Sequence, residues 1–486
     1  MSNRALAFTA DRLLHILQSL PVANSYIVGF SGGADSTALL HALIAVQGQL
    51  DARVSAVHVN HGLHENADLW QLQCEHFCRQ NKIELVCLTV KPENNAGKGL
   101  EAEARHLRYE AVSSLLKPGT CLLTAHHADD QAETLLLNLM RGSGVDGLSG
   151  MPKSRPLGEG SLQRPLLGFR NTALRSYLRE NNIEWTEDPS NRNLNYDRNF
   201  MRHEIIPLLE KRWPGISKRL LLTRRAMTDA RLLLERLADD YIGQNLVHPQ
   251  VLNIPPQTGD DPELFRLVIR YWLKHAGTPS IPAYRLESFC EQVKKAGNDN
   301  AVTVHWGGWS LRLYQQQLWL DNNLEILPCP VVQWSRDCSR IELGGDAGQL
   351  VLTQGDDTGK KERPETGLGH RSKDQHQSWQ PDVPEGEFYV GARVNIGAST
   401  IRLGDHHKSL KSLFQAANIP PWLRDCIPLC KLDGELVAMG DWCFSQQFAA
   451  WLAEHHCKLS WHPRNPLLKF ILRQQHPEDT NVFYEE

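Results

Sequence analysis

The segment from Ser25 to Ile44 constrains the fold of this chain more than any other. An apolar run over Tyr26–Phe30 predicts a buried strand, and leucines at helical spacing from Leu39 onward predict a helix. The tight turn between them, Ser31–Ser36, contains adjacent glycines that let the backbone bend and approach a ligand closely. Backbone N–H groups at the helix start would favour an anion in this turn. The same residues also fit an ordinary turn in which Ser or Asp caps a helix, so the turn alone leaves both interpretations open.

Residues 25–142 alternate between strand-like and helix-like patterns. Such repeats predict an α/β fold with a doubly wound parallel sheet and helices on both faces. Ligands of these sheets bind at the carboxyl ends of the strands, where the turn Ser31–Ser36 lies. The strand-like runs are 25–30, 53–59, 83–90 and 120–125, and the helix-like runs are 36–47, 65–80, 100–116 and 129–141.

Length and composition bound the class of protein. The chain has 486 residues with 41% hydrophobic and 22% charged residues, which predicts a globular protein of several domains. No apolar run approaches the ~18 residues of a membrane span, and the N-terminus lacks the apolar core of a signal peptide. The lack of such a run predicts no membrane partner, and eleven cysteines without regular spacing favour reduced thiols and a cytoplasmic location. A net charge of −4 means that any nucleic-acid surface must be a local patch.

Such a patch is predicted between Arg164 and Arg236, where 15 lysines and arginines accompany nine acidic residues. Helical patterns fill most of this segment, which suits contact with a nucleic-acid backbone. Those helical patterns cover 171–182, 197–211 and 216–242. The expected regions are an α/β domain over 1–215, a mostly helical middle domain with a short aromatic β-like stretch over 216–345, a polar linker over 346–387 and a small α+β domain over 388–486.

Two further polar groups have both a functional and an ordinary interpretation. His58 and His61 lie at the end of the second strand-like run, so they would point into the ligand crevice or simply belong to a polar loop. Glu101, Arg105 and Arg108 share one helix face, because residues three or four apart are neighbours on a helix. That face would serve a phosphate group or form solvated ion pairs within the helix.

Two histidines and two aspartates follow the fourth strand-like run, within His126–Asp130. They fall at the strand end and the first helical turn, where a metal–phosphate complex would bind. A structural zinc is disfavoured, because no tight set of further ligands accompanies them. The carboxylates fit a Mg²⁺ ion shared with phosphates better.

The turn Ser31–Ser36 resembles the PP-loop of the N-type ATP pyrophosphatases, which adenylate a carbonyl-type oxygen and release pyrophosphate. It is distinct from the Walker P-loop, since the chain contains no G-x-x-x-x-G-K-[ST] motif. With five later motifs in the same order, the chain resembles the bacterial tRNA(Ile)-lysidine synthetases over residues 25–215. The later motifs are HVNHGL, EAEARHLRYE, AHHADDQAETLLLNLMRGSGVDGLSGM, RPLL and EDPSNRNLNYDRNFMRHEIIP.

This resemblance implies a ligase reaction in two steps. ATP first adenylates O2 of the wobble cytidine in the CAU anticodon of an isoleucine tRNA. The ε-amine of free L-lysine then attacks C2 and expels AMP, which leaves lysidine. The implied cofactors are ATP and Mg²⁺, and the implied partners are this tRNA and free lysine.

The resemblance also implies roles for residues at matching positions. Asp35 would bind Mg²⁺ and take part in catalysis, and His126 and Asp130 match the catalytic region. Arg105, with Arg108 beside it, matches the basic position that stabilises departing pyrophosphate. The residues that match the ATP-binding loop are Ser31, Gly32, Gly33, Ala34, Asp35 and Ser36.

Further matching positions concern the other two substrates. Glu133 is expected to hold the α-amino group of lysine, and Arg198 and Arg202 to contact tRNA or close over the site. The C-terminal region resembles the tRNA-contacting domains of the family less sharply. The residues expected to contact tRNA there are Lys408, Lys411 and Arg424.

Two other classes of function are weighed against this interpretation. A tRNA thiolase of the same superfamily would use paired cysteines, but Cys74/Cys78 and Cys426/Cys430 are each separated by three residues rather than two. A non-catalytic RNA-binding protein would not need acidic and histidine groups together at strand ends. The sequence leaves the oligomeric state open, a homodimer included.

Overall fold

The structure is a computed structural model of the full chain. It divides into two compact units, Met1–Leu234 and Glu235–Glu486. The residues that the structure describes are 7–62, 65–91, 100–189, 193–255, 261–295, 302–322, 328–354, 383–397, 400–404 and 406–476.

The first unit is built on a six-stranded sheet of order β3-β2-β1-β4-β6-β5. All neighbouring strands are parallel except β5 and β6, which form an antiparallel hairpin. The predicted parallel α/β sheet is therefore confirmed. The strands are β1 (Ser25–Gly29), β2 (Arg53–Asn60), β3 (Glu84–Thr89), β4 (Thr120–Leu123), β5 (Ser154–Leu157) and β6 (Gly160–Gln163).

The helices of this unit lie close to the positions that the sequence patterns predict. The segment predicted as one helix over 197–211 is helical throughout, but its middle, Met201–Ile205, is a π-helix. The helices are α1 (Ala10–Gln18), α2 (Ala34–Val46), α3 (Ala67–Gln80), α4 (Leu100–Ser113), α5 (Ala128–Met140), α6 (Val145–Leu148), α7 (Asn171–Glu180), α8 (Asp197–Phe200), α9 (Ile206–Arg212) and α10 (Ile216–Asn245), the last of which extends into the second unit.

Two hydrophobic cores flank the sheet, because successive side chains of a strand point to opposite faces. Tyr26 and Val28 of β1 are buried in a core that also holds residues of α1, α2, α3 and α7. Ile27, between them, packs instead with Val112 of α4 and Leu162 of β6. Helices therefore cover both faces, as a doubly wound sheet requires.

The hairpin of β5 and β6 is a feature that the sequence patterns did not predict. Its strands have four residues each, and β5 contains a proline, so no apolar alternation marks them. The turn between them uses Gly158 at a φ of 55°, a left-handed conformation that suits glycine. β6 pairs with β4, so the hairpin extends the sheet beyond the strand that leads to His126.

The second unit begins with an antiparallel five-stranded sheet of order β7-β8-β11-β10-β9. It packs with two helices around the buried side chains of Trp272, Phe289 and Leu311. The middle region thus contains the predicted helices, and its aromatic β-like stretch is part of a complete sheet. The elements are β7 (Leu246–His248), β8 (Val251–Asn253), α11 (Pro262–His275), α12 (Ala283–Lys295), β9 (Val302–Trp306), β10 (Trp309–Tyr314) and β11 (Gln317–Asn322).

The C-terminal part of this unit is α+β, as predicted, and combines antiparallel sheets of five, three and two strands. Its strands are β12 (Val332–Gln333), β13 (Arg340–Gly344), β14 (Gly348–Gln354), β15 (Phe388–Gly391), β16 (Thr400–Leu403), β17 (His406–Ser409), β18 (Leu429–Leu432), β19 (Glu435–Met439), β20 (Cys443–Phe444) and β21 (Cys457–His462). Its helices are α13 (Arg393–Ile396), α14 (Leu410–Ala416), α15 (Gln446–Glu454) and α16 (Pro466–Gln475).

The predicted linker over 346–387 needs correction at its first residues. β14 pairs along its length with β21, so residues 348–354 belong to the C-terminal fold. Residues 355–382 lie outside the described part of the chain, and Val383, which follows them, is buried in the C-terminal core. None of the helices in the described part of the chain is long and apolar enough to cross a membrane.

A glycine substitution tests the geometry of the turn after β1. Gly32 has a φ of 79°, and a Cβ atom there would lie 3.1 Å from Sγ of Cys74, whereas Gly33 has a φ of −72° and room for a Cβ atom. Gly32→Ala is expected to lower the free energy of unfolding by about 1–2 kcal/mol, because a left-handed conformation strains alanine. Gly33→Ala is the matched control, and urea unfolding followed by circular dichroism is the measurement. Equal losses for both variants would contradict the described turn.

Candidate active site

The turn Ser31–Ser36 is held in shape by its own hydroxyl groups and by a distant segment. The Ser36 hydroxyl donates to the carbonyl of Gly33 (3.0 Å) and accepts from the backbone N–H of Ser31 (3.2 Å). The N–H of Thr186 donates to the carbonyl of Gly32 (2.9 Å), which brings the EDPSN motif against the turn. Helix α2 starts at Ala34, within this segment, so its dipole favours an anion at this position.

Asp35, in the first turn of α2, is the centre of a hydrogen-bonded network. Its Oδ1 accepts a hydrogen bond from Nδ2 of Asn171 (2.6 Å), and its Oδ2 lies 3.4 Å from Nε2 of His127. The backbone N–H of Asn171 in turn donates to Asp129 (2.8 Å). The carboxylate of Asp35 is one-third exposed and faces the cavity described below.

His127 caps helix α5 and reinforces this network. Its backbone N–H donates to Oδ2 of Asp130 (2.9 Å), and its Nδ1 accepts from the N–H of Asp130 (3.4 Å). Burial of the ring opposes protonation, but Asp35, Asp130 and Asp129 outweigh it and raise the pKa of His127 above its usual value. The three carboxylates therefore favour the protonated form of this ring more than water does.

His126, one residue earlier, has the opposite electrostatic character. Its Nδ1 lies 3.0 Å from the hydroxyl of Thr124. Burial of the ring lowers the pKa of His126 to about 3, and Arg164, Arg105 and Arg198 add to this effect against the opposing influence of Asp130. Its ring is therefore uncharged at neutral pH and can lie against a reacting group without adding charge.

Asp130 and Glu133 lie one turn apart on α5 and bind two arginines. Glu133 accepts hydrogen bonds from Nε of Arg198 (2.9 Å) and Nε of Arg202 (2.6 Å). Asp130 lies 3.2 Å and 3.0 Å from the same two guanidinium groups. Burial alone would raise the pKa of Asp130, but His127 and Arg198 outweigh it and lower this pKa. All four charges are thus paired with one another.

This pairing gives Glu133 partners other than the one expected for it. Its side chain is only 1% exposed, both of its oxygens are engaged by the arginines, and it does not line the cavity. A contact with the α-amino group of lysine would have to displace these arginines. Arg198 and Arg202, expected to contact tRNA or close over the site, are paired with Asp130 and Glu133 in the structure.

A cavity of about 430 Å³ lies at the carboxyl edge of the sheet and joins most of the predicted site. Trp70, Tyr109 and Asp188 also line it and were not predicted as site residues. Gly32, Ala34, Arg198 and Arg202 do not line it, and the side chain of Glu101 lies outside the described residues. The predicted site residues that line the cavity are Ser31, Gly33, Asp35, Ser36, Arg105, Arg108, His126 and Asp130.

Three predicted tRNA contacts lie in the second unit. Lys408, at the end of β17, and Lys411, on α14, are exposed. Arg424 is half-buried, because its Nε donates to the carbonyl of Ile419 (3.0 Å) and its guanidinium lies 5.7 Å from the ring centre of Phe414. The structure therefore leaves the two lysines accessible and gives Arg424 packing partners within the protein.

The network around Asp35 includes residues that sequence patterns did not single out. Asn171 and Asp35 are 136 positions apart, and no local pattern links them. His127 belongs to the AHHADD motif, and its place before the first helical turn is the signal that could have identified it as a cap. Thr186 directly precedes the EDPSN segment, and only the fold reveals its contact with the turn.

The cysteine pairs lack the properties of a redox or metal site. Cys74 and Cys78 are fully buried on α3, and burial raises the pKa of each thiol to about 12. Cys426 and Cys430 are likewise buried, with raised thiol pKa values. Protonated thiols are poor nucleophiles and poor metal ligands. These environments disfavour thiolase chemistry at either pair.

The lowered pKa of His126 can be measured by NMR. Across pH 5–8 the His126 ring is expected to show no change in charge, because its pKa is about 3. As the pH falls from 6.5 towards 3, the unfolded chain binds a proton at this position that the folded chain does not, so folding stability is lost across that window. The measurement is the ring-nitrogen chemical shift, with His126→Gln to assign the signal. Titration of this signal near pH 6.5 would contradict the described burial.

Comparison with known proteins gives matches in three successive segments of the chain. Models of three families match: the PP-loop domain at residues 7–209, the TilS substrate binding domain at 253–319 and the TilS substrate C-terminal domain at 392–461.

Three curated relatives, each named tRNA(Ile)-lysidine synthase, are similar along most of the chain. The relative from Xanthomonas campestris pv. campestris (strain 8004) is 34% identical and covers 90% of this chain and 95% of its own length. The corresponding values are 34%, 90% and 94% for Alkalilimnicola ehrlichii, and 35%, 87% and 94% for Enterobacter sp. (strain 638). With these matches and the PP-loop site described above, the chain belongs to the tRNA(Ile)-lysidine synthase family.

Proposed function

We propose a chemical course for lysidine formation on tRNA(Ile), the reaction that this ATP-dependent ligase carries out. O2 of the wobble cytidine attacks the α-phosphorus of ATP, and the bond to pyrophosphate breaks. The ε-amine of free L-lysine then attacks C2, the bond from C2 to the adenylated oxygen breaks, and AMP leaves. The amine loses a proton in this step, so a base must accept it. The convergence of the PP-loop, His126, Asp130 and Arg105 on one cavity carries this proposal.

The groups that line the cavity have separate roles in this reaction. The turn Ser31–Ser36 and the start of α2 bind the phosphates of ATP through hydroxyl and N–H groups. Arg105, with Arg108 nearby, stabilises the charge that develops on the departing pyrophosphate. His126 lies beside the reacting base as a neutral ring, which suits a pocket for an unstacked cytidine. The cytidine, ATP and lysine meet in the cytoplasm, where we place the enzyme.

The site also fits a Mg²⁺ ion shared with ATP. Among the described residues, no group of three or more potential metal ligands forms a complete cage. One partly exposed carboxylate at the PP-loop, Asp35, suits Mg²⁺, which is often held by one or two carboxylates together with substrate phosphates. The ion would neutralise phosphate charge there. Asn171 and His127 fix the direction of the Asp35 carboxylate in the structure.

Replacing Asp35 tests the proposed phosphate site. Asp35→Asn keeps the size of the side chain but removes its charge, so tRNA-dependent release of pyrophosphate from ATP is expected to be lost. tRNA affinity, measured by filter binding, is expected to stay within about twofold, because one buried-site charge adds little to backbone contacts elsewhere. Asp51→Asn, at an exposed position of the same unit, is the matched control. Undiminished pyrophosphate release by Asp35→Asn would contradict the assignment.

Replacing Glu133 distinguishes its two proposed roles. Glu133→Gln leaves two guanidinium groups short of a charged partner, so a loss of about 3–5 kcal/mol in unfolding free energy is expected. A direct contact with lysine would instead raise the KM for lysine and leave stability unchanged. Urea unfolding and lysine-dependent kinetics of the same variant are the measurements. Glu180→Gln, at an exposed helix end, is the control.

A further inference from the structure

Arg105 is an exposed arginine on α4, yet the proposed reaction needs its charge at a defined place. A free arginine side chain samples many rotamers, and fixing it in one of them costs conformational entropy. Residues that restrict Arg105 before the substrates bind would reduce that cost at the moment of reaction. The structure contains such a support, built around Tyr109.

Tyr109 lies one helical turn after Arg105 and lines the same cavity. The guanidinium carbon of Arg105 is 5.3 Å from the centre of the Tyr109 ring. The guanidinium carbon of Arg155 is 5.1 Å from the same ring. Both distances lie within the range in which a cation is attracted to an aromatic face. One ring therefore holds two arginines, and one of them lines the cavity.

Arg155 comes from the hairpin that the sequence patterns did not predict. Within the hairpin Arg155 pairs with Leu162, and Leu162 pairs with Leu122 of β4. Arg164 follows directly after β6, is only 5% exposed and donates to the carbonyl of Pro152 (2.8 Å). Arg164 also interacts with Tyr109, so the hairpin and its continuation fix this ring from the sheet.

These arginines differ in charge balance from the pair near Glu133. Arg198 and Arg202 have carboxylate partners, whereas Arg105, Arg155 and Arg164 form no ion pair with any carboxylate in the described part of the chain. Like charges collected without a counter-ion repel one another and favour a bound anion. The cavity that Arg105 lines also contains the PP-loop, so the phosphate chain of ATP is the anion nearest in chemistry.

We infer that Tyr109 and Arg155 are positioning residues that hold Arg105 against the phosphate groups that leave as pyrophosphate. This inference rests on the proposed role of Arg105 in the reaction. Tyr109 supplies the aromatic face, and Arg155 holds that face from the hairpin. Neither residue needs to touch a substrate for this effect. The hairpin thereby acquires a function in catalysis in addition to extending the sheet.

A double-mutant cycle tests this inference in the full-length chain. Arg105→Met is expected to lower kcat for tRNA-dependent pyrophosphate release by about 100-fold, as for loss of a charge-stabilising donor. Arg155→Met is expected to lower kcat about tenfold with unchanged tRNA affinity, because it misplaces Arg105 without removing it. The double variant is expected to be no slower than Arg105→Met alone, since Arg155 acts only through Arg105. Arg179→Met, at an exposed helix end, is the control.

Two variants of Tyr109 separate the ring from its hydroxyl group. Tyr109→Phe keeps the aromatic face and is expected to retain kcat within about threefold, whereas Tyr109→Leu is expected to match Arg155→Met. Circular dichroism of every variant checks that the fold is intact. Multiplying losses in the double variant, or full activity of both Arg155→Met and Tyr109→Leu, would overturn the inference. Full activity of Arg105→Met would instead overturn the proposed role of Arg105 itself.

Discussion

The parallel pairing of β1 with β4 is the constraint on which the site depends. Val28 pairs with Leu123, so both strands end at the same edge of the sheet. The PP-loop follows one strand and the His126–Asp130 segment follows the other. Asp35 and His127 are brought within 3.4 Å of each other by this pairing, although they are far apart in sequence. A change in the order of these two strands would separate the phosphate-binding loop from the groups around the reacting base.

Charge pairing within the protein decides which groups remain available to substrates. Asp130, Glu133, Arg198 and Arg202 neutralise one another, which is the condition under which buried charges are tolerated. The arginines around Tyr109 have no such partners among the described residues. Arg105 thus adds positive charge to the cavity, whereas the charges beside α5 balance one another. The reaction brings a polyanion together with a charged amine, so it needs the positive charge of Arg105 to lie apart from the charge pairs beside α5.

The sequence predicts the first sheet well, because its strands are apolar, regularly spaced and separated by long helical patterns. It also predicts that Asp35 and His126 share a crevice, since parallel strands end at one edge, whereas Arg105 is assigned to this crevice only by the family resemblance. It does not predict the partner of Asp35, because the Asn171 contact depends on where α7 packs. Nor does it predict the arginine partners of Glu133, because the spacing of Glu133 from Asp130 indicates a shared helix face but not which residues pair with it. The β5–β6 hairpin has too few apolar residues to give a pattern at all.

The central claim is that this cavity uses ATP to attach lysine to a tRNA base. The most direct measurement supplies the purified chain with bulk bacterial tRNA, ATP and either radiolabelled lysine or a radiolabelled sulfur donor. The account predicts ATP-dependent incorporation of lysine, one AMP formed per lysine attached, and no incorporation of sulfur. Incorporation of sulfur, or tRNA binding without any lysine attachment, would contradict it.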